Sequence, residues 1–194
     1  MTQSPLDQDL MKQVNRRFIT GVTVVATMDA ETPRGLAVNA FSSISIDPAT
    51  VLVCVMKSST THDVLFRAQH LAINILSTEQ LDVVGRFATK DPDKFAGLEW
   101  EPAPNGSPYL ARSSARMETE IRERLQASTH TIFICRVLHA EVTDHHPMVY
   151  AAGAFYDGGR PSSPAMRRLR PMTSTADPHA APAGRTNSRT PRHR

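Results

Sequence analysis

From residue 21 to residue 155 the chain keeps returning to one pattern, a short run of β-branched and apolar residues followed by a cluster of turn formers. GVTVVATM (21–28) leads through the turn DAETP (29–33) into RGLAVNAFSSISI (34–46), two runs spaced as a hairpin. Asp47 and Pro48 break the chain before VLVCVM (51–56), a continuously apolar strand. A polar corner at 57–60 precedes a short helix at 63–67, and residues 71–76 read as a further strand. Ser77 and Gln80 have capping-box spacing for a helix that ends at Phe87. Residues 91–108, rich in Pro, Gly and Asp, read as an ordered excursion rather than a core element. Residues 131–142 and 148–155 close the series as strands.

Residues 115–125 are ambiguous. Their composition favours a helix, yet Ala115, Met117, Thr119 and Ile121 alternate with Arg116, Glu118, Glu120 and Arg122. That is the strand period, and it predicts a strand. The chain opens with a helix: Ser4 can cap it, Pro5 suits its first position, and Leu6, Leu10, Val14 and Phe18 form one apolar stripe that Gly21 ends. Roughly seven strands with two or three helices, joined mostly by turns, imply a mainly β barrel or sandwich. No GxGxxG or Walker A pattern follows a strand, which excludes the common nucleotide-binding folds.

A chain of 194 residues makes one domain, with or without a tail. Charge locates the tail. After Tyr156 eight arginines face two aspartates, about +6, whereas the whole chain carries only +3. Residues 1–156 are therefore a mildly acidic folded domain, and the pI near 9.1 belongs to residues 157–194. That tail, rich in Pro, Arg, Ser, Thr and Ala, cannot supply a core, and its composition predicts disorder. A basic arm for nucleic acid or an acidic partner, and a terminus without a role, are the alternatives. Cys54 and Cys135 sit in apolar runs with no CxxC spacing, the pattern of buried free thiols in a cytoplasmic protein. The N-terminus lacks the build of a signal peptide, and no apolar run reaches the ~20 residues that cross a bilayer, so no membrane is expected. His145 and His146 lack further ligands at metal-site spacing, and no metal is expected either.

Three segments could serve one anionic, aromatic ligand. AVNAFSSIS (37–45) puts small and polar residues at strand positions, leaving backbone N–H and C=O groups open to a flat heteroaromatic ring; a loosely packed edge strand is the plainer alternative. KSSTT (57–61) offers hydroxyls, amides and a lysine for a phosphate, or simply a cap for the helix that follows. His130, in STH (128–130), opens a strand, where a lone histidine is usually a surface residue.

In order, GVTVV, AVNAFSSISIDP, VLVCVMKSSTTHDVL, LAINILS, GRFA, DKFAGLEW and STHTIFICRV resemble the short-chain flavin reductases, the reductase partners of two-component flavin-dependent monooxygenases. The resemblance runs from about Val14 to Phe155 and leaves the tail outside. It implies an FMN-binding split β-barrel, Greek-key-like, with a few capping helices. It also implies a homodimer with FMN or FAD, NADH or NADPH as hydride donor, and an oxygenase as partner. By position it implies that Ala37, Val38, Asn39, Ala40, Phe41 and Ser42 line the isoalloxazine ring and that Ser58, Ser59 and Thr60 hold the flavin phosphate. Arg86, Phe87 and Lys94 fall near the ribityl–phosphate end, His130 approaches the nicotinamide as the catalytic side chain, and Phe155 matches an aromatic near the closing strand. The chain departs from the family at Ser128, where Gly is usual, and at Ala40, where Ser is common. The implied function is an NAD(P)H-dependent flavin reductase; a non-catalytic flavin- or haem-binding barrel is the alternative, and nucleic-acid binding through the tail is not expected.

Overall fold

The computed structural model describes residues 6–159, which fall within one compact unit, Met1–Arg160. The tail from residue 160, and Ser4 and Pro5 at the other end, lie outside the described residues. In chain order the elements are α1 (Gln8–Asn15), β1 (Thr20–Gly21), β2 (Thr23–Asp29), β3 (Thr32–Val38), β4 (Phe41–Ile46), β5 (Ala49–Met56), α2 (His62–Arg67), β6 (His70–Ile75), α3 (Leu81–Phe87), β7 (Trp100–Pro102), β8 (Pro108–Leu110), β9 (Ala115–Ala127), β10 (His130–Val142), β11 (Met148–Ala151) and β12 (Ala154–Asp157).

Seven strands form one antiparallel sheet in the order β3-β2-β6-β9-β10-β5-β4. β3 and β5 stand five strand spacings apart in that order, roughly 24 Å if the sheet were flat. Yet Leu36 and Val38 of β3 share a core cluster with Val51, Val53 and Val55 of β5. The sheet therefore curls into a barrel around Val25, Leu71, Ile73, Ile121, Phe133 and Cys135, with Leu65 of α2 packed into it. The barrel is split rather than closed, because β3 and β4 are its two edges and do not pair. Only Asn39 and Ala40 connect them, so the split falls at those two residues.

β2 is buried on both faces because two layers cover it. Val25 points into the barrel, while Val22, Val24 and Ala26 join a second cluster with Val83, Val84 and Phe87 of α3, Phe95 and Met148. Each fully buried valine here stabilises the fold by about 1.5–3 kcal/mol. The small sheets β1-β11-β12 and β7-β8 flank this second layer.

The strand expected at 115–125 forms as β9, the alternation overriding helical composition because β9 pairs on both sides, with β6 and β10. Other expectations are corrected. The single run 34–46 is two strands, and β3 begins earlier, with Pro33 paired to Met28; an edge strand can hold a proline because its missing N–H faces no neighbour. The last run is a hairpin, turned by Ala152 and Gly153 at positive φ. The excursion contains the β7-β8 hairpin. The first helix begins after Asp7, whose carboxylate accepts from the Asp9 N–H, and stops at Asn15, leaving Phe18 outside it. Its stripe packs against nothing described: no α1 residue is buried.

Two buried polar side chains fasten residues 103–110 to the barrel. Asn74 donates to the Val24 and Pro108 carbonyls and accepts from the Leu110 N–H at 2.8 Å. Glu118, fully buried, accepts from the Asn105 N–H and side-chain amide and from the Ser107 N–H at 2.8–3.1 Å. Burial pushes its carboxyl up, but these hydrogen bonds outweigh burial and leave it below the usual glutamate range. A depressed carboxyl stabilises the fold above the ordinary glutamate pKa and loses that contribution as pH falls through its folded value. Glu118→Gln is accordingly expected to cost about 2 kcal/mol at pH 7. The gap to the parent should shrink below about pH 4, near the ordinary glutamate pKa, in urea titrations run at both pH values.

Candidate functional site

The edge strand β3, the polar corner after β5 and the loop after α3 meet in a crevice of about 340 Å³. Ala37, Ser58, Ser59, Thr60, Phe87 and Lys94 line it, six of the residues expected at the site. The corner is tightly turned: the Ser59 N–H donates to the Met56 carbonyl and the Ser59 hydroxyl accepts from the Thr61 N–H. Ser59 thus serves the turn as well as the crevice wall.

Lys94 is the buried cation of this crevice, and the exposed Lys90 lines it as well. Lys94 is only 5% exposed, and its Nζ lies 3.3 Å from the Gly35 carbonyl and 3.4 Å from that of Phe87. Both are long contacts for an ammonium, which prefers about 2.7–2.9 Å to a charged partner. Burial pushes its pKa down, and Asp91 opposes that. An anion placed in the crevice would reverse the burial penalty. Lys57, which the sequence suggested for this task, is turned away: its Nζ donates to the Ser128 carbonyl at 2.8 Å.

Ala37 also lines a second cavity of about 180 Å³ at the split of the barrel, with Val38, Asn39, Val84, Tyr150 and Phe155. Its walls are mostly apolar, and the Tyr150 and Phe155 rings pack at 5.4 Å between centroids. Asn39 and Phe41 border a third, apolar cavity with Phe18 and Ile19. One strand, β3, thus joins a crevice lined by hydroxyls and lysines to an aromatic-walled slot.

The remaining expected residues lie elsewhere. Ser42 is exposed on β4, its hydroxyl donating to the Ser43 carbonyl, and Ala40 accepts from the Cys54 N–H. Arg86 donates to the Ala96 carbonyl and so holds the excursion. Ser128 and Thr129 make the two-residue turn between β9 and β10, and His130 stands beside Met56 of β5, whose side of the crevice it flanks. The His130 Nδ1 is 2.9 Å from the Thr129 hydroxyl. The turn is tied to the polar corner by the Lys57 N–H, which donates to the Thr129 carbonyl at 2.9 Å. Tyr150, Val84, Lys90 and Arg34 are cavity residues that sequence reasoning missed; only Tyr150, an aromatic five residues before Phe155, carried a usable signal.

Residues 15–159 match the family described as Flavin reductase like domain. The chain belongs to this family. It is 32% identical over 151 residues to the flavin-dependent monooxygenase reductase subunit HsaB of Rhodococcus jostii, covering 77% of each chain. It is 39% identical over 138 residues to the FMN reductase (NADH) SmoA of Agrobacterium fabrum, covering 71% of this chain and 79% of that one. The solved NADH:FAD oxidoreductase SgcE6 of Streptomyces globisporus superposes with a TM-score of 0.75 at 30% identity, covering 81% of this chain and 96% of SgcE6. The split-barrel architecture is that of a flavin reductase, and a flavin fits the residues present. The crevice pairs hydroxyls and a buried lysine, suited to phosphate, with an aromatic-walled slot, suited to a flat ring.

The glycine that the resemblance implies at position 128 has a physical reason. Ser128 has φ 50°, the left-handed conformation that a tight two-residue hairpin turn demands at its first position. A side chain there costs about 1 kcal/mol. Ser128→Gly is expected to raise the melting temperature by about 2–4 °C, read by thermal denaturation; an unchanged or lower value would refute strain at this turn.

Proposed function

We propose that the protein is an NADH-dependent flavin reductase that hands reduced flavin to a separate oxygenase. The observation that carries this reading is the crevice itself, where buried Lys94 and the Ser58–Thr60 hydroxyls continue along β3 into the aromatic-walled slot. Bound flavin supplies the hydride acceptor and reduced nicotinamide the donor. The protein's part is to bind, align and keep dry. Ser58, Ser59 and Thr60 donate to the phosphate, and Lys94 offsets its charge. The β3–β4 link around Asn39 presents backbone groups to the ring edge, with Val38 and Phe155 as its apolar neighbours. Tyr150 and Phe155 exclude water, and holding the two reactants in one orientation supplies most of the rate. His130, on the crevice's Met56 side, orients the nicotinamide.

Reduced flavin leaves for its oxygenase in this reading, so flavin is a substrate as much as a cofactor. HsaB, by its name a monooxygenase reductase subunit, supports that role. The free thiols Cys54 and Cys135 suit a cytoplasmic setting; burial raises both, Cys135 to about 11. Among the described residues no helix is long and apolar enough to cross a membrane.

The test is to mix purified protein with NADH and FMN or FAD and follow the nicotinamide absorbance. Flavin-dependent loss of NADH is expected, and none with either flavin ends the reading. His130→Ala is expected to slow the reaction or raise the KM for NADH about tenfold or more, within the range of ~10²–10⁴ at most for a positioned catalytic group, while flavin affinity holds. Equal weakening of both would remove His130 from the nicotinamide side.

The homodimer belongs to the same proposal. Leu6, Val14, Phe18 and Ile19 are 54–75% exposed, and Phe18 and Ile19 border the apolar cavity beside Asn39 and Phe41. A contiguous apolar surface of this kind marks an interface. Light scattering is expected to give twice the chain mass, and Phe18→Glu to shift it towards the monomer; a monomeric parent protein would refute the assembly.

A further inference from the structure

The geometry points to a dinucleotide preference: the protein takes FAD in favour of FMN, the second phosphate and the nucleoside lying in a cavity beyond Lys94. This rests on the flavin reading and deepens it. A cavity of about 270 Å³ adjoins the phosphate crevice and shares Thr60, Lys90 and Lys94 with it. Lys94 is therefore a common wall of the two cavities. A single terminal phosphate needs only the Ser58–Thr60 side. A diphosphate would put one phosphate on each side of the same cation.

The far cavity is chemically unlike the near one. To the shared Lys90 and Lys94 it adds Arg34 of β3 and the carboxylates of Asp29 and Asp91. One Arg34 N–H is committed to the Pro92 carbonyl at 2.6 Å. A guanidinium has five donors in a fixed fork, so the others stay available to an anion. Carboxylates repel a phosphate but accept hydrogen bonds from sugar hydroxyls, so cations and carboxylates together match a phosphate followed by a ribose better than an isolated anion. An ammonium offers three donors, and only two weak carbonyl contacts are made by Lys94. Taken together, the two cavities have the ~300–1,000 Å³ size of sites that bury a whole small ligand.

Calorimetric titration of the full chain with FMN, FAD and ADP tests this without turnover. FAD is expected to bind at least tenfold more tightly than FMN, and ADP alone to bind measurably. Arg34→Ala, which removes a cation from the far cavity only, should lower FAD and ADP affinity about tenfold and leave FMN affinity unchanged. Equal affinities of the parent protein for FMN and FAD, or an Arg34→Ala loss shared by both flavins, would overturn the preference while the reductase reading stands. Failure of both flavins to bind would end both.

Discussion

One backbone carbonyl holds the site together. Gly35 lies on the edge strand β3, where carbonyls on the open side have no partner strand. Its oxygen accepts from the Thr61 hydroxyl at 3.1 Å and from the Lys94 ammonium at 3.3 Å. Three segments far apart in sequence, the β3 edge, the corner after β5 and the loop after α3, are fixed at this atom. Glycine is needed here for space rather than conformation. A Cβ would stand 2.9 Å from the Phe87 ring and 3.1 Å from the Val25 carbonyl, and Phe87 cannot retreat because Phe95 packs on it edge-on. The close approach of α3 to β3 lets Phe87 and Lys94 share one crevice. A hydrogen bond to a charged group contributes about 1.5–3 kcal/mol, and burying an ammonium costs a comparable amount or more. Lys94 is thus buried with only long contacts to two carbonyls, and burial holds its pKa down.

Much of this was legible from residues alone, for identifiable reasons. Strand alternation survives in β9 because its neighbours on both sides enforce period two, and a Thr-Glu-Ile pattern that looks helical by composition cannot serve two strand partners otherwise. The polar corner and the AVNA stretch announce themselves because small and hydroxylated residues are costly in a barrel wall unless something uses the space. What could not be read was where side chains turn. Lys57 is the cation that the KSSTT residues suggest and Lys94 the one that only the family resemblance implies, and the pairing of β10 with β5 brings the Ser128 carbonyl to Lys57 and takes it out of the crevice. The break at Asn39–Ala40 was equally hidden. RGLAVNAFSSISI keeps strand propensity throughout, so the edge-to-edge crossing that splits the barrel leaves no Gly or Pro to mark it.

Segments from both ends of the described residues build the wall of the slot. Tyr150 and Phe155 face each other across the β11-β12 hairpin, which β1 flanks and whose Met148 and Tyr150 pack on the α3 layer. β1 pairs with β11 through Thr20–Tyr150 and Gly21–Val149, and the Ala152 N–H at the hairpin tip donates to the Arg16 carbonyl just past α1. The wall of the aromatic slot is therefore pinned by the stretch that carries exposed Phe18 and Ile19. Hydride transfer tolerates little misalignment between two stacked rings. The Tyr150 and Phe155 wall is tied, through β1 and the Ala152–Arg16 hydrogen bond, to the backbone that carries the exposed Phe18 and Ile19.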